Sequence, residues 1–234
     1  MIGLRNYKRR GFSLVELAIV VGVIGIVMAS VWSYASAARQ TQKIAQATQI
    51  VFALADDVRS VYAGRTSIVG GMGPVETVMV GSGSMLSTVL RGTKSACGTP
   101  AVTTYYADTP WGVITTDNCG SLHLCAWTYA NAASYALGSA PNIGATPCAS
   151  ITATASAEYF AIEFTQLNYG SCVSLAAAID PNSPSGLSDV YINGSSILNT
   201  GTGLPVVSAQ SSALCVAGST NVVDFVYPLR APGT

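Results

Sequence analysis

One histidine and two cysteines lie close together in the sequence and carry side chains of the kind that bind zinc. His123 stands between Cys119 and Cys125. Zinc sites usually need four such ligands, often with a CxxC pair or a second histidine. The sequence has no CxxC pair, and His123 is its only histidine. We therefore expect disulfides and a surface histidine here, with no metal and no cofactor.

The arrangements typical of a hydrolytic enzyme are missing. No GxSxG motif is present for a nucleophilic serine. Glu158 and Glu163 are five positions apart in a predicted strand, so they should point to opposite faces and not act as a carboxylate pair. The sequence therefore predicts no catalytic residues and no enzyme.

Six cysteines lie in the second two-thirds of the chain, and their even number suits disulfide formation in an oxidising compartment. The part of the chain that contains them should therefore lie outside the cytoplasm. They are Cys97, Cys119, Cys125, Cys148, Cys172 and Cys215.

The charge distribution separates the N-terminus from the rest of the chain. Eleven basic residues balance eleven acidic ones, but Arg5, Lys8, Arg9 and Arg10 fall within the first ten positions. The remainder is mildly acidic and has no basic stripe for nucleic acid. Only 9% of the residues are charged, against about 25% in typical soluble domains. Part of the chain should therefore lie in lipid.

An apolar segment of 27 residues runs from Phe12 to Ala38, with Glu16 as its only formal charge. A helix of that length would measure roughly 40 Å, enough to cross a hydrocarbon core of about 30 Å. The preceding basic residues would keep the N-terminus in the cytoplasm. A carboxylate within a membrane helix costs about 2.5 to 3.5 kcal/mol at its centre, so Glu16 is expected to be functional.

Two ordinary interpretations of this segment leave Glu16 without a role. One is a plain signal anchor. The other is a secretory signal peptide, with its apolar core near Leu17 to Ala29 and a cleavage site at Ala35-Ser36-Ala37.

A third interpretation accounts for the glutamate. Gly11 to Leu17 read GFSLVEL, between a basic leader and an apolar segment. This resembles the processing site of type IV pilins and their pseudopilin relatives, with Gly before the cut, Phe as the first mature residue and Glu as the fifth. The resemblance implies that prepilin peptidase cuts between Gly11 and Phe12 and methylates the new amine of Phe12. It also implies that Glu16 acts in assembly, with the amine of a neighbouring subunit as its partner.

The resemblance implies a structural pilin subunit. Its precursor would sit in the lipid of the inner membrane, and the pilus assembly machinery would add the mature chain to an extracellular type IV pilus, or fimbrium, of identical copies. Such a fibre could serve cell adhesion, conjugation, motility, DNA uptake or secretion. A minor pilin or a type II secretion pseudopilin is an alternative, and a secreted binding protein released by signal peptidase near Ala37 is an alternative of another class.

The sequence predicts one helix that continues past the membrane segment. From Arg39 to Ala63, apolar residues recur at helical spacing among polar ones, and Gly64 is placed to end the helix. The expected organisation is a leader at 1–11, an apolar helix at 12–38, its amphipathic continuation at 39–63 and a globular head at 64–234.

Within the head, residues 64 to 110 are rich in Gly, Ser and Thr and are interpreted as an irregular loop with a short helix near Ser84 to Leu90. Cys172, Leu175, Ala176 and Ile179 predict a helix, and Asn193-Gly194 predicts a hairpin turn, which explains Asn193-Gly194-Ser195 better than N-glycosylation does. β-Branched and aromatic residues predict strands. These strands are Trp111 to Thr116, Leu122 to Tyr129, Glu158 to Phe164 with one face buried, Asp189 to Asn193, Ser196 to Leu198 and Val222 to Tyr227.

The expected class is α+β, a long N-terminal helix on an antiparallel sheet. With its disulfides and a head of this size, it resembles the type IVb pilins, although the short leader and Phe12 are more typical of type IVa. The type IVb resemblance implies a type IV pilin fold, in which the apolar half of the helix projects from the head, and a disulfide between Cys172 and Cys215. The other four cysteines allow three pairings, of which Cys119 with Cys125 is disfavoured by a predicted hairpin between them.

Overall fold

The computed structural model describes residues 13–69, 78–79, 81–83, 90–97, 102–107, 109–111, 121–127, 148, 156–179, 186–197, 208–217 and 221–230. Its helices are α1 (Leu14–Val61), α2 (Tyr169–Ala178) and α3 (Ser208–Leu214). Its strands are β1 (Ile68–Val69), β2 (Leu90–Cys97), β3 (Val102–Ala107), β4 (Leu122–Trp127), β5 (Ser156–Ala157), β6 (Tyr159–Leu167), β7 (Asp189–Ile192), β8 (Ser195–Ser196) and β9 (Asn221–Pro228).

The chain divides into two compact units, residues 1–42 and 43–234, and α1 contributes to both. In the second unit α1 buries one face at helical spacing, as its amphipathic pattern predicts. The helix ends at Val61, and Gly64 follows with a φ of +82°, a conformation that glycine adopts without strain. The buried positions are Ala47, Val51, Leu54, Ala55 and Val58.

Five strands form an antiparallel sheet in the order β4, β6, β9, β7, β8. Strand β9, the last one among the described residues, therefore lies in the middle of the sheet, between β6 and β7. The β7–β8 hairpin turns at Asn193 and Gly194, with φ values of +50° and +81°. Two positive φ values are what a type I′ turn requires, and the predicted hairpin is confirmed.

One face of this sheet, which we call the helix face, joins α1 and α2 in a single hydrophobic cluster. Side chains alternate across a strand, so every second residue of β6 and β9 points into this cluster. The rings of Phe160 and Tyr227 stack there at 5.7 Å, and Phe164 meets Phe225 edge-on at 6.1 Å. The sheet residues concerned are Leu122, Leu124, Ala126, Phe160, Ile162, Phe164, Val190, Ile192, Val223, Phe225 and Tyr227.

Near its C-terminal end, α1 is fastened to the sheet by Arg59. The guanidinium donates hydrogen bonds to the backbone carbonyls of Pro228 and Gly186, each at 3.3 Å, and lies 5.3 Å from the ring centroid of Tyr227. Burial lowers the pKa of Arg59, and the charge of Asp56 opposes that shift. A single side chain thereby connects the helix to β9 and to the segment that precedes β7.

The predicted α+β class is confirmed, with a long N-terminal apolar helix, an antiparallel sheet and, among the described cysteines, two disulfides. The irregular loop predicted for residues 64 to 110 is wrong, since β1 and the paired strands β2 and β3 lie there. Residues 84–89 of the predicted short helix and 112–116 of the predicted strand lie outside the described residues.

The prediction of one buried face for the strand around Glu163 is also wrong, because residues 160–165 of β6 are buried on both faces. We call the side opposite the helix face the second face. Its residues on β6 are Ala161, Glu163 and Thr165, and all three are at most 4% exposed.

Candidate functional site

The predicted processing point adjoins the start of α1. Gly11 and Phe12 lie outside the described residues, and Ser13 is the residue that precedes the helix. Its Oγ accepts a hydrogen bond from the backbone N–H of Val15 at 3.3 Å, and its carbonyl accepts from the N–H of Leu17 at 3.1 Å. Ser13 is therefore the N-cap of α1.

Glu16 occupies the third position of that helix, within its first turn, and its side chain is exposed. A serine cap followed three residues later by glutamate is the capping-box pattern, in which the carboxylate can reach back to the amide of the cap residue. The negative charge is also favourable beside the positive end of the helix dipole. Sequence reasoning missed this local role of Ser13 and Glu16, although the Ser-x-x-Glu spacing was visible.

The remainder of α1 within residues 1–42 presents an apolar surface. Large hydrophobic side chains from Leu14 to Tyr34 are exposed, and the segment is long and apolar enough to cross a membrane by length and composition. The hydroxyls of Ser30, Ser33 and Ser36 donate to the carbonyls three residues earlier, at 2.8 to 2.9 Å. These serines therefore satisfy their own donors inside the helix and fit an apolar environment.

Two disulfides lie in the described part of the head. Cys172 of α2 is bonded to Cys215, just after α3, the pairing that the resemblance implies. Cys125 of β4 is bonded to Cys148, a pairing that the sequence left open. The side chain of Cys97 and all of Cys119 lie outside the described residues.

His123 is only 2% exposed, so the prediction of a surface histidine is wrong. It lies on β4 directly opposite Glu163 of β6, which is in turn opposite Asp224 of β9. Directly opposed residues of an antiparallel sheet share a face, so these three side chains form a row on the second face. Among the described residues, no group of three His, Cys, Asp or Glu side chains is arranged to hold a metal.

Asn193 and Asn221 connect the β7–β8 turn to the end of α3 and the start of β9. The Asn193 amide nitrogen donates to the Leu214 carbonyl at 2.9 Å and to Asn221 Oδ1 at 3.0 Å, and its oxygen accepts from the N–H of Val222 at 2.9 Å. Asn193 is therefore held by internal hydrogen bonds, which agrees with a turn residue and not with a glycan acceptor.

Comparison with known proteins bears on the N-terminal segment. Residues 6–32 match the family described as the prokaryotic N-terminal methylation motif. No curated protein matches the sequence. A solved structure described as a type IV b pilin from Salmonella typhi aligns with 79% of this chain and 98% of its own, at 15% identity and a TM-score of 0.47. A likeness at that identity and score carries no conclusion about this chain. The motif match spans Gly11, Phe12 and Glu16, and the chain therefore carries a prokaryotic N-terminal methylation motif where the sequence predicted one.

Proposed function

We propose that this protein is a structural subunit of the type IV pilin class, processed at its N-terminus and then assembled into an extracellular pilus. The observation that carries the proposal is the methylation motif at residues 6–32, directly followed by an exposed apolar helix that begins at Leu14. A motif read by a processing enzyme and a helix suited to lipid together describe a membrane-bound precursor.

The first stage is insertion in the inner membrane. The basic leader holds the N-terminus on the cytoplasmic side by the positive-inside rule. Lipid then covers the exposed apolar side chains of α1, and the internally bonded serines add no unpaired donors. The head, with its disulfides, is placed in the oxidising compartment beyond the membrane.

The second stage is processing by prepilin peptidase. Cleavage between Gly11 and Phe12 removes the leader with its cluster of positive charges, and methylation follows on the new amine of Phe12. The mature chain then begins one residue before the Ser13 cap, so the cut leaves the first turn of α1 complete.

The third stage is assembly with other copies. The resemblance to type IV pilins implies that the partner of Glu16 is the Phe12 amine of a neighbouring copy. Opposite charges offset the cost of placing each ion in an apolar environment. Such a pair fixes the axial position of one copy against the next, while apolar helix surfaces supply the packing.

The competing proposal is secretion after signal peptidase cleavage near Ala37. Ala35, Ser36 and Ala37 lie within the continuous helix α1, and Ser36 donates its hydroxyl to the Ser33 carbonyl. Cleavage there would sever a hydrogen-bonded helix and would remove Glu16 from the mature chain, so that Glu16 could take no part in assembly. The helix therefore favours processing at Gly11.

The mass of the mature chain tests the proposal. A mature protein that begins with methylated Phe12 and is recovered in sheared surface filaments is the expected result, and a Gly11→Leu variant should remain as uncut precursor in the membrane. A mature chain that begins at Ala38 would refute the proposal and favour secretion. Correct processing with only trace amounts in filaments would indicate a minor pilin or a pseudopilin in place of the main subunit.

A further inference from the structure

A row of four ionisable side chains crosses the second face of the sheet. His123 of β4, Glu163 of β6, Asp224 of β9 and Tyr191 of β7 are directly opposed in register, and each is at most 3% exposed. The motif and the proposed assembly use none of them. Ionisable groups shielded from water are costly unless their charges are compensated, so this row requires an explanation.

The two carboxyl groups at its centre cannot both be ionised without a large cost. Burial raises the pKa of Asp224 well above 3.8, and the nearby charge of Glu163 and a side-chain hydrogen bond with Glu163 raise it further. With both groups written as carboxylates, neither oxygen of Asp224 has a hydrogen-bond donor. A proton on Asp224 supplies that donor, and Glu163 accepts the bond.

Glu163 also holds a second element on this face. Its Oε2 accepts a hydrogen bond from the backbone N–H of Cys148 at 2.9 Å. Cys148 is bonded to Cys125, which lies on β4 two residues after His123. Glu163, one member of the carboxyl pair, therefore holds the backbone of Cys148, the residue whose disulfide links it to β4.

We propose that the Asp224–Glu163 pair is a proton-dependent lock, in which one shared proton keeps the second face closed around Cys148 and a rise in pH weakens the head. When the proton is lost, two adjacent buried carboxylates repel each other. The sheet can relieve that repulsion only by admitting water to the second face. The lock belongs to the folded head and does not depend on whether the chain assembles.

The direction of the pH effect follows from proton linkage. The folded state keeps the Asp224 proton above the pH at which an unfolded aspartate, with a pKa near 3.8, has lost it. Folding therefore binds a proton in this range, and the unfolding equilibrium constant should rise by up to tenfold per pH unit. The loss begins above about pH 4 and continues until pH passes the raised pKa.

Other ionisable side chains lie near the carboxyl pair, and they determine which part of the pH–stability profile reports on that pair. His123 faces Glu163 from β4, and Tyr191 faces Asp224 from β7. Asp189, two residues before Tyr191, accepts bonds from the N–H of Val190 and the hydroxyl of Ser196. The informative limb runs from neutral to mildly alkaline pH, and comparison of the wild type with the amide variants below separates the carboxyl pair from His123 and Tyr191.

The lock is tested by urea unfolding of the detergent-solubilised full-length protein. Pulse proteolysis measures the folded fraction at a series of pH values from neutral to mildly alkaline. The wild type should lose stability as the pH rises. Asp224→Asn should abolish that slope, because the amide donates permanently to Glu163. Glu163→Gln should do the same, since its oxygen can still accept from Cys148 and its nitrogen can donate to Asp224. Glu158→Gln, an exposed position just before β6, should keep the wild-type slope.

A second measurement serves if the amide variants fail to fold. Infrared spectroscopy of the wild type at neutral pH should show the carbonyl stretch of a protonated carboxyl, which titrates away as the stability falls. A wild-type stability that is flat or rises over this limb overturns the lock. An unchanged slope in folded Asp224→Asn does so as well, and so does the lack of a protonated carboxyl at neutral pH.

Discussion

The two compact units of this chain handle their apolar and charged groups in opposite ways. In residues 14–42 the large hydrophobic side chains are exposed, and the lone glutamate lies at the surface of the helix. In residues 43–234 most of the buried hydrophobic side chains that the structure describes belong to one cluster, and the buried Glu163 accepts a hydrogen bond from the backbone of Cys148. The first unit needs partners from outside, whereas the second is largely satisfied by its own contacts.

Because of this difference, mutations in the two units should affect different properties of the protein. Changes in the N-terminal unit should alter what the chain associates with and leave the free energy of unfolding of the head unchanged. Changes in the head should alter that free energy and leave N-terminal processing unchanged. A variant in one unit that changes the behaviour of the other would contradict this division.

The largest effect is expected at Glu16. Glu16→Ala should insert and be processed normally, because it removes a charge from an apolar segment, yet it should yield few or no filaments. Glu16→Gln should also yield few or no filaments. Glutamine keeps the shape and hydrogen-bonding capacity of glutamate but lacks the negative charge that the proposed pairing requires. Electron microscopy of surface filaments, beside a blot for mature protein in the membrane, measures both steps.

The glutamine variant sharpens the result because glutamine, like glutamate, can complete a capping box. Filaments from Glu16→Gln but not from Glu16→Ala would mean that Glu16 acts by capping its own helix. Abundant filaments from both variants would end the pairing idea.

The next effect in size concerns the disulfide between α2 and the end of α3. Replacing Cys172 and Cys215 together by serine opens a cross-link with a sequence separation of 43, which should lower the free energy of unfolding by about 4 kcal/mol in the chain-entropy model. The shift of the urea midpoint of the full-length protein in detergent measures it. The same exchange at Cys125 and Cys148, with a separation of 23, should cost slightly less, about 3.4 kcal/mol.

Neither double variant should change the processed N-terminus, which mass spectrometry can check. A loss of cleavage in either one would show that the processing enzyme reads the head as well as the motif. That result would contradict the division between the two units.

The sequence predicted α1 and several helices and strands of the second unit, for a physical reason. Amphipathic spacing, turn residues and the run of apolar residues are local signals, and they correctly indicated α1, α2, β4, β6, β9 and the Asn193-Gly194 turn. Strand β3 had a usable signal in its Thr and Tyr residues. Helix α3 and strand β2 had little, because Ser208–Leu214 is short and rich in serine and β2 contains Gly92 and Lys94.

The buried row could not be predicted in the same way. An alternating strand predicts one apolar and one polar face, and a polar face is normally expected in water. Glu163 therefore indicated solvent, whereas its environment is set by Asp224, 61 positions later in the sequence, and by the backbone of Cys148. Which polar face is covered depends on long-range packing that periodicity does not report.

A smaller effect is expected at Asn221, which lies fully buried where the chain enters β9. Its amide nitrogen donates to the carbonyls of Leu167 and Val216, and its oxygen accepts from the N–H of Val216. Asn221→Leu keeps a similar volume but leaves these groups unpaired, so it should cost about 2 to 3 kcal/mol. The urea midpoint again measures the change.

The matched control is Asn168→Ala. Asn168 is the N-cap of α2, and its side chain accepts one hydrogen bond, from Ser171 at 2.8 Å. Loss of a cap typically costs about 1 kcal/mol. Equal destabilisation by the two variants would contradict the view that Asn221 is a central connection of the head.

The smallest effect in energy is expected at Ser13, and it is the sharpest test of how Glu16 works. Ser13→Ala removes the hydroxyl that caps α1, which should loosen the first turn by about 1 kcal/mol and raise hydrogen exchange only there. If Glu16 acts through its charge on a neighbouring copy, filaments should still form, because the helix dipole and the apolar packing that position the glutamate remain. If Glu16 acts as half of a capping box, removing the other half should reproduce the assembly defect of Glu16→Ala.

Ser13→Thr keeps a capping hydroxyl and serves as the control. The mass of the mature chain must show normal cleavage for both variants, since position 13 adjoins the cut. Normal filaments from Ser13→Ala, beside none from Glu16→Gln, would assign the glutamate to contact between copies, whereas the reverse pattern would confine its role to the helix that carries it.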